Sequence, residues 1–128
     1  MGKPIIIAHR GASAYAPENT LSSFRKSMDM KADGIEIDVQ LTKDGYVVVS
    51  HDDKLGRTSN GSGLIKDFTL KELKELDFGS WFSSDFTDER IPTLDETMNL
   101  IADKNILLNI EIKNGPVLCP GIEKKVVD

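Results

Sequence analysis

One cysteine, Cys119, is all the sequence holds, so no disulfide can form within the chain and a reducing, cytoplasmic setting is the expectation. No apolar run approaches the roughly 20 residues of a membrane-spanning helix, and no basic amphipathic stretch reads as a membrane-surface helix. The apolar run Ile5-Ile6-Ile7 near the amino terminus is too short for a secretion signal and is followed by no small-residue cleavage site. Clusters of Lys and Arg are missing as well, and the net charge is -5, which argues against a nucleic-acid surface. Internal repeats, low-complexity stretches and charged tails are absent. What remains is 128 residues with 39% apolar content, the size of one modest globular unit.

The pattern along the chain is strand, helix, strand. Ile5-Ile6-Ile7-Ala8 is a short β-branched run that reads as a buried strand, followed by turn-forming Arg10-Gly11-Ala12-Ser13. Asn19 or Thr20 can cap a helix in which Leu21, Phe24 and Met28 recur at helical spacing, closed by Lys31. Residues 34–41 then alternate strictly, and a strand-helix-strand order with a helix of this length predicts a parallel βαβ unit. The strand at 47–51 follows too closely for a crossover and must fold back as a hairpin. Taking Asp44-Gly45 as a two-residue type I′ loop puts Lys43 opposite Tyr46 and Asp38 opposite His51. From Asp52 to Ile91 the pattern loosens into an inserted excursion around a short helix, where Leu70, Leu73 and Leu76 follow the capping box Thr69-x-x-Glu72. Trp81, Phe82 and Phe86 read as its local core. A second box, Thr93-x-x-Glu96, opens a helix carrying Leu94, Met98 and Ile101, a strand follows at 107–113, and another helix is expected from Pro120.

Side-chain parity separates the chemistry from the core. Glu36 and Asp38 lie two apart on one strand, opposed to Ile35, Ile37 and Val39; Asn109, Glu111 and Lys113 are opposed in the same way to Leu108, Ile110 and Ile112. The apolar sides must be covered by helices, so neighbouring parallel strands carry acids on their helix-free face. An ordinary half-buried sheet would turn such acids to water, but parallel strands are generally covered on both faces. Three convergent carboxylates form the oxygen-rich environment favoured by Ca²⁺ or Mg²⁺ rather than zinc. His9 and His51, the two histidines of the chain, each close a predicted strand, a place where a lone histidine is commonly structural. As a pair beside the acids they suit a general acid and base. Arg10 and Lys113 are placed either to hold a phosphate or to serve as ordinary ion-pair partners. Cys119, with no histidine near it in sequence, is read as an inert small side chain.

His9-Arg10-Gly11, Pro17-Glu18-Asn19-Thr20, Glu36-Ile37-Asp38-Val39, Asp44-Gly45, His51-Asp52, Ile91-Pro92-Thr93-Leu94 and Glu111-Ile112-Lys113 together resemble, in order, the signature of glycerophosphodiester phosphodiesterases. The resemblance implies an α/β fold, the amino-terminal part of a (β/α)₈ barrel, with a hairpin and the family insertion at about 52–91 after the second strand. It implies His9 and His51 as acid and base, Glu36, Asp38 and Glu111 as ligands of Ca²⁺ or Mg²⁺, and Arg10 and Lys113 on the phosphate. The implied reaction releases glycerol 3-phosphate and an alcohol from a small glycerophosphodiester, with no nucleic-acid or membrane partner. Since a barrel of this kind takes about 250 residues, residues 1–128 are expected to be a partial domain without its carboxyl-terminal half. That half, or a second copy, would be the complementing partner. Two other readings stand beside this one: an inactive barrel fragment or binding module, and a phospholipase-like phosphodiesterase acting on whole lipids.

Overall fold

The computed structural model describes residues 4–112, so Lys113, Cys119 and the helix expected from Pro120 lie outside the described residues. Strand β2 (Gly34–Leu41) is the centre of a four-stranded sheet. Strand β1 (Ile7–His9) runs parallel beside Gly34 to Glu36, strand β4 (Leu107–Ile112) runs parallel along Gly34 to Val39, and strand β3 (Val47–Val49) runs antiparallel along Val39 to Leu41. Gly34 pairs with both Ile7 and Leu107, and Val39 with both Val49 and Ile112, so β1 and β3 share one edge of β2 while β4 holds the other. The backbone agrees: Arg10 N–H donates to the Glu36 carbonyl and Ser50 N–H to the Asp38 carbonyl, each at 2.8 Å, and carbonyls two residues apart point to the same edge.

Helix α1 (Leu21–Asp29) connects β1 to β2. Its cap is Thr20, whose hydroxyl accepts the Ser23 N–H while Ser23 returns a bond to Thr20. The expected boxes at Thr69 and Thr93 open α2 (Leu70–Lys74) and α3 (Leu94–Ile101), each closed by its glutamate. The face of β2 made by Ile35, Ile37 and Val39 packs with Phe24, Leu94 and Ile101 into one core, edged by Leu108, Ile110 and Ile112. Both helices therefore lie on the apolar side, and the acids face away from them. On α3 the structure departs from expectation: Thr97 is fully buried and Met98 is 45% exposed, because Leu94, Thr97 and Ile101 form a tighter stripe about the contact line.

Three further expectations are corrected. The hairpin loop has three residues, Lys43-Asp44-Gly45: Thr42 N–H donates to the Tyr46 carbonyl at 2.9 Å, and Gly45 takes the left-handed conformation with φ 90. Asp44 Oδ1 accepts both the Thr42 hydroxyl at 2.7 Å and the Leu70 N–H at 3.0 Å, so the loop also serves the first turn of α2. The register moves by one residue, and Ser50 rather than His51 stands opposite Asp38.

The run Ile5-Ile6-Ile7 is exposed rather than buried, with Ile5 66% and Ile6 63% accessible, because β1 has β2 as its sole strand neighbour among the described residues. The excursion does have its own core, but Val48, Leu55, Ile65, Leu73, Phe78 and Ile91 make it. Trp81, Phe82 and Phe86 instead form an edge-to-face chain at the rim, with successive ring centroids 5.8 Å apart. The excursion returns along the free side of β3, where Val49 N–H donates to the Pro92 carbonyl at 2.9 Å. No helix among the described residues is long and apolar enough to cross a membrane.

Candidate metal centre and its histidines

The period-two alternation of β2 and β4 brings three acids to one point. Asp38 and Glu111 are register partners on neighbouring parallel strands, and Glu36 lies two residues before Asp38 on the same face. One carboxylate oxygen from each of Glu36, Asp38 and Glu111 lies within 4.8 Å of the others. Asp38 is fully buried, Glu36 half-buried and Glu111 exposed, so the cluster runs from the sheet interior to its open side.

The loop after β1 folds over the buried member. Arg10 and Asn19 both adopt left-handed backbone, with φ 59 and 54, and Asn19 N–H closes the loop on the Arg10 carbonyl at 2.8 Å. The Asn19 side-chain amide donates to Asp38 Oδ2 at 3.0 Å, and Arg10 Nε lies 3.5 Å from that oxygen. Gly11, at φ 80, lets the loop press on α1; a Cβ there would sit 2.3 Å from Ser23 Oγ and 2.9 Å from the Ser23 backbone carbon.

His9 ends β1 directly beside Glu36, with Nε2 3.1 Å from Oε1, and its ring is largely exposed. His51 lies past the end of β3, where Gln40 Nε2 donates to its carbonyl at 3.1 Å. Its Nδ1 meets Asp52 Oδ1 at 2.8 Å. Hydrogen bonds from Arg57, reinforced by His51 and outweighing burial, hold the Asp52 carboxyl down to about 2. At neutral pH Asp52 is therefore an acceptor only, which puts the proton of a neutral His51 on Nδ1 and leaves Nε2 with a lone pair.

The remaining contacts tie these groups together. Arg57 donates to Glu18 through Nη1 and Nη2 at 2.7 and 2.9 Å, and to Asp52 through Nε and Nη2 at 2.9 and 3.1 Å. Glu18 also accepts from Arg10 Nη1 at 3.2 Å. Burial pushes Glu18 upward, but the hydrogen bonds and charge of Arg57, with the charge of Arg10, bring it below its ordinary value.

Of the residues singled out from sequence, the structure gathers Glu36, Asp38, Glu111, His9 and Arg10, and links His51 to them through Asp52, Arg57, Glu18 and Arg10. Glu18 and Asp52 stand in motifs that had drawn notice without being given a role, Asn19 had been read only as a possible helix cap, and Arg57 stands in none. The signal for it was Glu18 itself, an acid in a closed turn that needs a cation.

The donor set is of the kind a hard divalent cation takes, since all three donors are carboxylate oxygens gathered on one face. A parallel β/α sheet whose helix-free face carries acids and a strand-end histidine belongs to the barrel class, where such a face is the interior. Comparison with known proteins narrows this. The chain belongs to the Glycerophosphoryl diester phosphodiesterase family, whose profile matches residues 9–122.

It is 58% identical over 125 residues to a glycerophosphodiester phosphodiesterase of Caldanaerobacter subterraneus subsp. tengcongensis, covering 98% of this chain and 51% of that protein. To a glycerophosphodiester phosphodiesterase of Bacillus subtilis it is 44% identical, covering 96% of this chain and 44% of the relative. An Oleispira antarctica phosphodiesterase, solved in complex with the product sn-glycerol-3-phosphate, superposes with a TM-score of 0.87 at 44% identity, over 97% of this chain and 49% of that one. The glycerophosphodiester phosphodiesterase of Agrobacterium tumefaciens gives the same TM-score, 0.87, at 34% identity over 98% of this chain and 52% of its own. The chain thus spans about half the length of these relatives, and its sheet is part of their (β/α)₈ barrel.

Proposed function

We propose that this chain carries the metal-binding and acid-base half of a glycerophosphodiester phosphodiesterase, which hydrolyses a small glycerophosphodiester to glycerol 3-phosphate and an alcohol. The observation that carries the reading is the convergence of Glu36, Asp38 and Glu111 with His9 on Glu36. Glu36, Asp38 and Glu111 would hold Ca²⁺ or Mg²⁺, which when bound polarises a phosphoryl oxygen. His9 and His51 would exchange protons with the attacking and departing oxygens. His51 is suited to accept a proton at Nε2, since Asp52 keeps Nδ1 occupied. Arg10 and Lys113 would contribute positive charge to the phosphate. Small-molecule substrate chemistry is supported by the Oleispira antarctica relative, whose bound product is sn-glycerol-3-phosphate.

On the same reading residues 1–128 are part of one barrel domain, completed by its remaining strands or by a second copy. The exposure of Ile5 and Ile6 favours that completion over an independent binding module. Release of glycerol 3-phosphate from glycerophosphocholine, measured with and without added Ca²⁺ or Mg²⁺ in a barrel-complete protein, tests the proposal. Metal-dependent release is expected; absence of release with either ion would reject it.

A further inference from the structure

Arg57 lies outside the acid cluster and outside every motif noted above, yet among the described residues it makes more side-chain hydrogen bonds to acids than Arg10 does. Its guanidinium is forked on both sides, two bonds to Glu18 and two to Asp52, all between 2.7 and 3.1 Å. With its fork filled by two carboxylates it has little left to offer an anion, so an ordinary phosphate-binding role does not suit it. Nor is its position loose. The turn that carries it is pinned by Leu55, which is fully buried, by the Ser59 N–H on the Leu55 carbonyl at 3.1 Å, and by the bridge between Lys54 and Leu64.

What Arg57 holds is more telling. Asp52 contacts Arg57 with both oxygens and gives Oδ1 also to His51 Nδ1 at 2.8 Å, so rotation of the Asp52 carboxylate would break the imidazole bond and the Arg57 bonds together. On its other side, Glu18 is shared with Arg10, which lies against Asp38. The loop after β1 and the segment after β3 are joined here by side chains alone, from residues 39 positions apart.

We infer that Arg57 is a positioning residue for His51: by clamping Asp52 against Glu18 it fixes the ring orientation and tautomer of that histidine relative to the carboxylate cluster. The inference deepens the proposed function, since it matters for turnover only if His51 transfers a proton. A lysine can replace it only in part, because a single ammonium on a flexible stem keeps the charge but does not reproduce two parallel forks.

The test uses the barrel-complete protein and two independent readouts. Nitrogen NMR of the labelled His51 ring reads the tautomer; steady-state kinetics on glycerophosphocholine with Ca²⁺ or Mg²⁺ reads turnover. In the wild type, neutral His51 is expected with its proton on Nδ1. Arg57→Ala is expected to mix the tautomers and to lower kcat by roughly tenfold to a hundredfold, the range for losing a residue that orients a functional group, with KM changed by less than about threefold. Arg57→Lys should recover part of the kcat loss. If Arg57→Ala does not fold, Glu18→Gln, which removes one side of the clamp at constant shape, is expected to move both readouts in the same direction.

A His51 tautomer unaltered by these substitutions overturns the inference, whatever happens to kcat. A tautomer that responds to the substitutions, in a protein whose wild type shows no hydrolytic activity, sustains the clamp and rejects the functional reading instead.

Discussion

Asp38 and Glu111 stand side by side on parallel strands in register. A third acid, Glu36, completes the group from the same strand as Asp38. Clustered carboxylates repel one another, and on the proposed reading a divalent ion would relieve that repulsion beyond what Arg10 beside Asp38 supplies. Replacing Glu36 by alanine should weaken Ca²⁺ or Mg²⁺ binding and leave the metal-free protein as stable or more so. Calorimetric titration with each ion, beside a thermal melt in chelator, reads the two effects; undiminished affinity would take Glu36 out of the ligand set.

The histidines give a kinetic expectation. In a barrel-complete protein, His9→Ala and His51→Ala should each lower turnover by roughly 10²- to 10⁴-fold, the range for losing one general acid or base. Denaturation midpoints should barely move, since both rings are at least partly exposed. Wild-type kcat in either variant would return that histidine to a structural role.

Acid stability should depend on Asp52. Its carboxyl is held at about 2 in the fold, against an ordinary 3.8. A depressed carboxylate stabilises the fold above its unfolded value and loses that contribution as pH falls through the folded one. The stabilisation should therefore be complete above about pH 5 and fade between about pH 4 and pH 2. Urea midpoints of the wild type and Asp52→Asn, followed from pH 6 to pH 2, should converge at the acid end. Parallel curves would place the Asp52 contribution elsewhere.

The excursion has a core of its own, and Leu73 is fully buried in it. Leu73→Ala should cost about 2–5 kcal/mol, the range for deleting a buried leucine side chain. Loss of protection in hydrogen exchange should concentrate in residues 52–91 before it reaches β2. Uniform loss across the sheet would mean that the two cores melt as one.

Gly11 offers a backbone test. At φ 80, with Ser23 in the space of a Cβ, alanine is penalised both by conformation and by contact with the α1 backbone. Gly11→Ala should destabilise by about 1–3 kcal/mol and shift the loop that brings Asn19 to Asp38. A denaturation midpoint equal to the wild type would show that the loop relaxes freely.

How much of this could be read from residue order differs by element. The acids were legible because β2 and β4 alternate strictly and the βαβ order tells which face the helices cover. The two threonine-glutamate boxes were legible because their partners are three residues apart. The hairpin register was not, because a bond from Asp44 to Leu70, 26 residues away, favours the longer loop. Arg57 escaped for the same reason, its partner Glu18 being distant in sequence. The exposure of Ile5 and Ile6 was misread because an apolar β-branched run announces a strand but not whether a neighbour covers it. Lys113 lies outside the described residues, so its place at the phosphate remains a proposal.

The sharing of one β2 edge by β1 and β3 makes the wall a two-storey structure. On the lower storey every strand must obey the tilt and stagger of a closed barrel. The upper storey begins where Arg10 turns β1 away, and there the hairpin takes over the vacated edge and answers to no such closure. Residues 52–91 hang from that upper level, beginning just past β3 and returning along its free side. Residues 52–91 can therefore change in length or shape without disturbing the register that sets Asp38 beside Glu111.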